Sequence, residues 1–216
     1  KRPMFIAPNS NDGGLALGML LGYIRPDKPF DAAYAGLPLL DKDSYLSAIG
    51  FDFLSHGSKN PVFDVDLKSL AESIKNGSIV GVARGNAEHG PRALGNRSIL
   101  CNPSVENMKQ KLNDHVKHRE WFRPFAPVVR LEDAEKYFLT NGESRFMSYS
   151  CSVKKKWRKR LESVTHADGT ARVQTVTRSQ NPWLYDLLTH FNDINEHGVL
   201  LNTSLNVNGR PITSTI

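Results

Sequence analysis

The sequence predicts an α/β (α+β) fold: a twisted open sheet carrying helices. Three observations predict it. Short apolar runs of strand length occur at 79–83 (IVGVA), 124–130 (PFAPVVR) and 199–202 (VLLN). Amphipathic runs of helix length occur at 65–77 and 181–195. The two kinds are mixed without strict alternation, and no internal repeat is visible.

The elements follow in order. Residues 4–8 (MFIAP) read as a short buried strand and 9–14 as a polar turn. LALGMLLGYI (15–24) reads as a helix with Gly14, Gly18 and Gly22 on one face, open to close packing by another backbone. Residues 25–63, with scattered Pro, Gly, Asp and Ser, read as a connector with short elements. VDLKSLAESIKNG (65–77) has the pattern of a helix stopped by Gly77. Ser104 is the expected N-cap of a helix running to about Val116. Strands are expected at 124–130, 146–153, 171–176 and 199–202, with a short helix over 132–138. A last helix opens at Pro182, with Leu184, Leu187, Leu188 and Phe191 as its apolar face.

A hydrophobic content of 39% suits a soluble globular protein. No apolar run approaches the roughly 18 residues that cross a membrane, and Lys1-Arg2-Pro3 does not open a signal peptide. Two cysteines, Cys101 and Cys151, make no disulfide framework and no zinc motif, so a reducing cytoplasm is expected. The net charge of +6 favours anionic partners. Six cations fall within Lys154-Lys155-Lys156-Trp157-Arg158-Lys159-Arg160, which fits either a solvated loop or a polyanion contact with Trp157 as a stacking surface.

Four segments carry chemistry-bearing residues. In 84-RGNAEHGPRALGNRSIL-100, Gly85, Gly90 and Gly95 permit close backbone approach, and Arg84, Arg92 and Arg97 supply cationic forks suited to phosphate or carboxylate. No Gly-Lys-Ser/Thr follows, so this is not a Walker A loop; it reads as an anion cradle or as a glycine-rich turn with surface arginines. In 117-KHREWFRPFAP-127, Lys117, Arg119 and Arg123 stand beside Trp121, Phe122 and Phe125, where a lower dielectric strengthens anion binding. In 165-THADGTARVQTV-176, His166 and Asp168 suit proton transfer, polar ligand contact or simple hydrogen bonding, and Arg172 and Gln174 share one face of a strand. In 201-LNTSLNVNG-209, Asn202, Thr203, Ser204 and Asn206 crowd a strand end, as turn formers or as ligand groups.

Taken together, EHGPRALGNRSIL, KHREWFRPFAP, THADGTARVQTV and LLNTSLNVNGRPI resemble the family of nodulation-factor, aminoglycoside and cephamycin O-carbamoyltransferases over essentially all of 62–212. That resemblance implies a YrdC/Sua5-like domain forming carbamoyl-adenylate from ATP and carbamoyl phosphate, and a Kae1-like, actin/sugar-kinase-like domain passing the carbamoyl group to a hydroxyl-bearing acceptor. It implies boundaries at 1–40 for the end of the Kae1-like domain, 41–61 for a connector and 62–216 for the YrdC-like domain. Arg92, Arg97, Lys117, Arg119 and Arg123 become the expected catalytic cations. Ser98, His166, Arg172, Asn202, Ser204 and Asn206 become the expected ATP and carbamoyl phosphate contacts, Lys117-His118-Arg119 and Ser204-Leu205-Asn206 echoing the Lys-x-Arg and Ser/Thr-x-Asn patterns of YrdC-type domains. Asp12, in Pro8-Asn9-Ser10-Asn11-Asp12-Gly13-Gly14, becomes the expected ligand of Fe²⁺, with Mg²⁺ accompanying ATP; as an alternative it caps the following helix. The chain lacks the family's His-x-x-x-His pair and stops soon after Pro211-Ile212, so it reads as a fragment that activates carbamate without transferring it. A homodimer, or association with a missing N-terminal domain, is the expected assembly. Two other readings stay open: a nucleic-acid-binding module, gripping through 154–160, and a part in threonylcarbamoyladenosine-type tRNA modification.

Overall fold

The computed structural model describes residues 6–28, 31–39, 65–140 and 142–213. Its centre is a five-stranded sheet made of β1 (Val80–Ala83), β2 (Arg97–Cys101), β3 (Ala126–Arg130), β7 (Gln174–Val176) and β8 (Val199–Ser204). The spatial order is β1-β2-β8-β3-β7, antiparallel except for the parallel β3–β7 pair. A smaller antiparallel sheet joins β4 (Phe138–Leu139), β5 (Cys151–Val153) and β6 (Thr170–Ala171). The fold is therefore of the expected α/β class.

Side-chain alternation along the central strands feeds two cores, one on each face. Leu100, Val128 and Leu200 pack with α2 (Leu67–Lys75) and α5 (Pro182–Ile194), where Ala71, Ile74, Leu184, Leu187, Leu188 and Phe191 are buried. Ile99, Cys101, Val129, Val199 and Leu201 face the small sheet, together with Met108, Leu112, Phe125 and Tyr137. Each large side chain removed from water in this way contributes about 1.5–3 kcal/mol. The ends of α2 and α5 follow local rules. Asp66 accepts from the Ser69 amide and Gly77 turns the chain at φ +96°; Asn181 accepts from the Leu184 amide ahead of Pro182.

Several elements differ from expectation. The strand expected at 4–8 falls partly outside the described residues, and 6–8 are not extended into a sheet. Ser104 caps no helix: its amide and hydroxyl both reach Asn102 Oδ1, Asn107 turns left-handed (φ 57°), and α3 (Met108–Lys111) starts only after it. A wider π-type turn then carries the chain to Lys117. The strand expected at 146–153 shrinks to β5 because Met147 sits at φ +53°. The run 171–176 divides into β6 and β7, which serve different sheets. The short helix over 132–138 is α4 (Ala134–Tyr137), preceded by a 3-10 turn.

The N-terminal part has two different relations to this body. Residues 31–39 are stitched to it: Gly36 N donates to Ala87 O (3.0 Å), Leu39 N to Gly85 O (3.0 Å), and Ala33 packs with Leu94 and Phe146. By contrast α1 (Leu15–Ile24) forms as expected but buries none of its residues, and nothing lies within 4 Å of a Cβ placed at Gly18 or Gly22. The expected connector at 41–61 lies outside the described residues. Among the described residues no helix is long and apolar enough to cross a membrane.

Candidate functional site

β8 runs antiparallel to β3, so the C-terminal end of one meets the N-terminal end of the other, with Asn202 opposite Ala126. At that edge a cavity of about 290 Å³ opens. Arg92, Lys117, Arg119, Arg123 and Arg172 line it, together with Asn202, Ser204 and Asn206. Two of the four segments singled out in the sequence contribute three of these groups each, the other two contribute Arg92 and Arg172, and among the described residues no carboxylate lines the cavity.

The cations are held at a cost. Burial, then repulsion from Arg119 and Arg123, lowers the Lys117 ammonium to about 8. Burial, then Arg92 and Arg119, lowers Arg172 to about 10. Arg119 is lowered as well, by burial and then by Arg123. An anion in the cavity would relieve all three, because it restores the solvation that burial removed and offsets the mutual repulsion.

Their positions are fixed by neighbours. Lys117 Nζ donates to the Ser204 carbonyl, to Asn206 O at 3.0 Å and to Asn206 Oδ1 at 2.9 Å, so it ties the end of the π-type turn to the end of β8. Arg119 Nε donates to Asn113 Oδ1 at 2.8 Å, and its guanidinium lies 4.6 Å over the Phe125 ring. Arg123 is exposed and 3.7 Å from Glu120. Arg172 Nε and Asn202 Oδ1 are buried and have no hydrogen-bond partner among the described residues.

In the glycine-rich segment the amides of residues 94–97 are engaged within the protein rather than open to an anion. Glu88 Oε1 accepts from the amides of Leu94 (2.6 Å), Asn96 (2.8 Å) and Arg97 (3.1 Å). The glycines serve that tight turn. Gly95 lies at φ +117°, where a Cβ would come within 2.7 Å of Leu184; Gly90 lies at φ +129°, where a Cβ would come within 2.8 Å of Pro8 O. From this segment Arg92 reaches the cavity.

Four expected site residues lie elsewhere. Arg97 is fully buried; its guanidinium donates to the carbonyls of Arg84 (2.6 Å), Asn96 (3.0 Å) and Gly85 (3.1 Å), clamping the loop rather than lining the cavity. Ser98 Oγ accepts from Gly95 N at 2.9 Å. His166 Nδ1 pairs with Thr170 Oγ1 at 3.0 Å in the turn before β6, away from the cavity lining. Asp12 is exposed, and Asn11, not Asp12, caps the turn at 12–14. Among the described residues no group of three His, Cys, Asp or Glu side chains is placed to hold a metal ion.

The basic block 154–160 is partly structural. Arg158 Nε donates to Val153 O at 3.1 Å, and Arg160 pairs with Glu196. Trp157 rests edge-on to Tyr137 at 4.9 Å, with Nε1 donating to Lys136 O at 3.0 Å, so its ring belongs to the core boundary rather than to a stacking platform. Sequence reasoning missed Glu88, Asn208 and Met147. The last two line the cavity, as does Thr203 of the polar strand end, and only Glu88, inside the strongest motif, left a sequence signal.

Comparison with known proteins bears on this site. The family model for the carbamoyltransferase C-terminus matches residues 71–216. Nodulation protein NolNO of Sinorhizobium fredii is 37% identical over 99% of this chain and 32% of its own length. The 3'-hydroxymethylcephem-O-carbamoyltransferase of Streptomyces clavuligerus is 38% identical over 95% of this chain and 38% of its own. Nodulation protein U of Azorhizobium caulinodans is 40% identical over 97% and 36%. The chain thus spans well under half the length of these relatives. A crystal structure of full-length HypF shares the fold, with a TM-score of 0.50 and 21% identity over 72% of this chain and 19% of that one. With the model matching most of the sequence and these relatives aligned along nearly all of it, the chain belongs to the carbamoyltransferase family, as a member of its C-terminal domain type.

Proposed function

We propose that this chain performs the activation half of an ATP-dependent O-carbamoyl transfer. Carbamate, released from carbamoyl phosphate by water with loss of inorganic phosphate, attacks the α-phosphorus of ATP through an oxygen. The bond from that phosphorus to the bridging oxygen breaks, pyrophosphate leaves, and carbamoyl-adenylate remains for transfer to the hydroxyl of a small-molecule or modified-nucleoside acceptor. The observation that carries this reading is the convergence of Arg92, Lys117, Arg119, Arg123 and Arg172 on one cavity with no carboxylate among the described residues that line it. Such a site suits the dispersed negative charge of phosphoryl and nucleotidyl transfer, where positioning and electrostatics supply most of the catalysis.

In this reading Arg172 and Arg92 hold the phosphate end of the substrate, and Arg119 and Arg123 hold the triphosphate near the exposed rim. Lys117 keeps the Ser204–Asn206 turn in place while adding its charge. Mg²⁺ would travel with the nucleotide, since the cavity offers no carboxylate to bind it. Iron chemistry and the acceptor pocket are not assigned to residues of this chain.

The test is pyrophosphate release from the full chain supplied with ATP and carbamoyl phosphate. Release that needs both substrates, and falls at least about a hundredfold in Arg172→Ala, is the expected result. Release undiminished in Arg172→Ala overturns the reading.

A further inference from the structure

The cavity that this proposed activity uses is cationic, yet one residue of its wall, Asn202, carries a buried acceptor whose orientation is dictated from outside the cavity. Gln174 and Asn202 are both 1% exposed. Gln174 Nε2 donates to the Leu94 carbonyl at 3.0 Å. A carbonyl oxygen can only accept, so the Gln174 amide cannot be flipped, and its Oε1 must face Asn202. Asn202 Nδ2 donates to that Oε1 at 2.7 Å and to the Ala93 carbonyl at 3.1 Å. Both amino hydrogens of Asn202 are then used, and the polarity of the relay runs one way. It begins at two carbonyls of the 93–94 turn and ends at Asn202 Oδ1, a buried acceptor with no partner.

An acceptor that must remain an acceptor repels phosphate oxygens and calls for an N–H or O–H donor. Arg172, another residue of the same wall, carries the complementary orphan, the buried donor Nε. An orphan acceptor and an orphan donor match the two faces of an amide-type group, the –NH₂ and the C=O. We infer that Asn202 is the specificity residue for the carbamoyl end of the substrate: its Oδ1 accepts from the carbamoyl amino group, so the site takes carbamoyl phosphate and rejects acyl phosphates that carry a methyl group there. Gln174 is the positioning residue that fixes the direction of this bond. This inference rests on the activation reading above and adds to it which end of the substrate lies where.

Two phosphonates test it on the wild-type full chain, so that no variant has to fold. Phosphonoacetamide keeps the amino group, and acetonylphosphonate replaces it with methyl; the two have nearly the same shape and charge. Binding is measured by calorimetry, with inorganic phosphate as the reference anion. The expected result is that phosphonoacetamide binds about tenfold or more tightly than acetonylphosphonate, the penalty a site built to meet an N–H imposes on an analogue lacking it. In Asn202→Leu that ratio should fall to about one. Equal affinities in the wild type overturn the assignment of Asn202 and leave the anion site standing. Failure of both phosphonates and of inorganic phosphate to bind overturns the activation reading, and this inference with it.

Discussion

Glu88 offers the sharpest test of how the site is built. One of its oxygens accepts three backbone amides, those of Leu94, Asn96 and Arg97, while the other oxygen has no partner. Glu88→Ala leaves three amides to find water in the space vacated, at about 1 kcal/mol each and so roughly 3 kcal/mol in all. For a chain of this size that is a fall in melting temperature of roughly 6–12 °C. Glu88→Gln keeps a neutral oxygen in the same place and should lose only about 1 kcal/mol, or roughly 2–4 °C. The amides exposed in Glu88→Ala form an anion hole, so formate or acetate added to that variant should raise its melting temperature in a concentration-dependent way. The assay is thermal unfolding by circular dichroism with and without formate. If Glu88→Ala melts within 2 °C of Glu88→Gln, the carboxylate is not what organises the 94–97 turn and the reasoning fails.

Other outcomes follow from the same geometry. Arg97→Ala should lower pyrophosphate release through loss of fold rather than loss of a substrate contact, since its guanidinium spans three carbonyls; the melting temperature should drop in parallel with activity, and a fully folded but inactive variant would return Arg97 to the catalytic set. Because Lys117 is lowered to about 8, phosphate affinity should weaken as pH rises past that value, and binding at pH above about 8 should take up protons, seen by calorimetry in buffers of different ionisation enthalpy. His197 is held neutral by burial at about 4, below its unfolded value, so the stability it contributes is present above about pH 6.5 and is lost as pH falls toward 4. The loss should approach about 3 kcal/mol and should be absent in a folded His197→Asn variant titrated by urea.

How far the sequence could be read depended on whether a residue's role was local. The apolar face of α5 and the buried runs of β3 and β8 were legible because period and length alone specify them, whereas β1 forms as a strand but buries only Val82. Ser104 was misleading because its competing partner, Asn102, sits two residues away, and His197, on a distant turn, also reaches its hydroxyl. With Val199 N donating to His197 Nδ1, the other ring nitrogen carries the proton, and the Ser104 hydroxyl donates its hydrogen bond to Asn102 Oδ1 rather than to a base that would activate it as a nucleophile. In the site, residue type picked out Lys117, Arg119, Arg123, Arg172, Asn202, Ser204 and Asn206, which meet at one cavity. Arg97 and Ser98 lie off that cavity, because strand β2 turns their polar side chains into the neighbouring loop, and Glu88 is an acidic residue inside a motif dominated by cations. Nothing in the sequence signals the positive φ of Met147 that brings it to the cavity wall.

The cavity wall is assembled from the 92–93 turn, the 117–126 segment, Arg172 and the 202–209 strand end, pieces that meet only when β2, β8, β3 and β7 are all paired. An anion seated there bridges elements from nearly the whole length of the folded body and has no counterpart in the unfolded chain. Ligand concentration therefore acts on global cooperativity: at a hundred times Kd it adds about 2.7 kcal/mol to unfolding. The slowest-exchanging amides of β8 and β3 should slow together as the site fills, whereas those of α1, which buries nothing, should exchange at the same rate throughout.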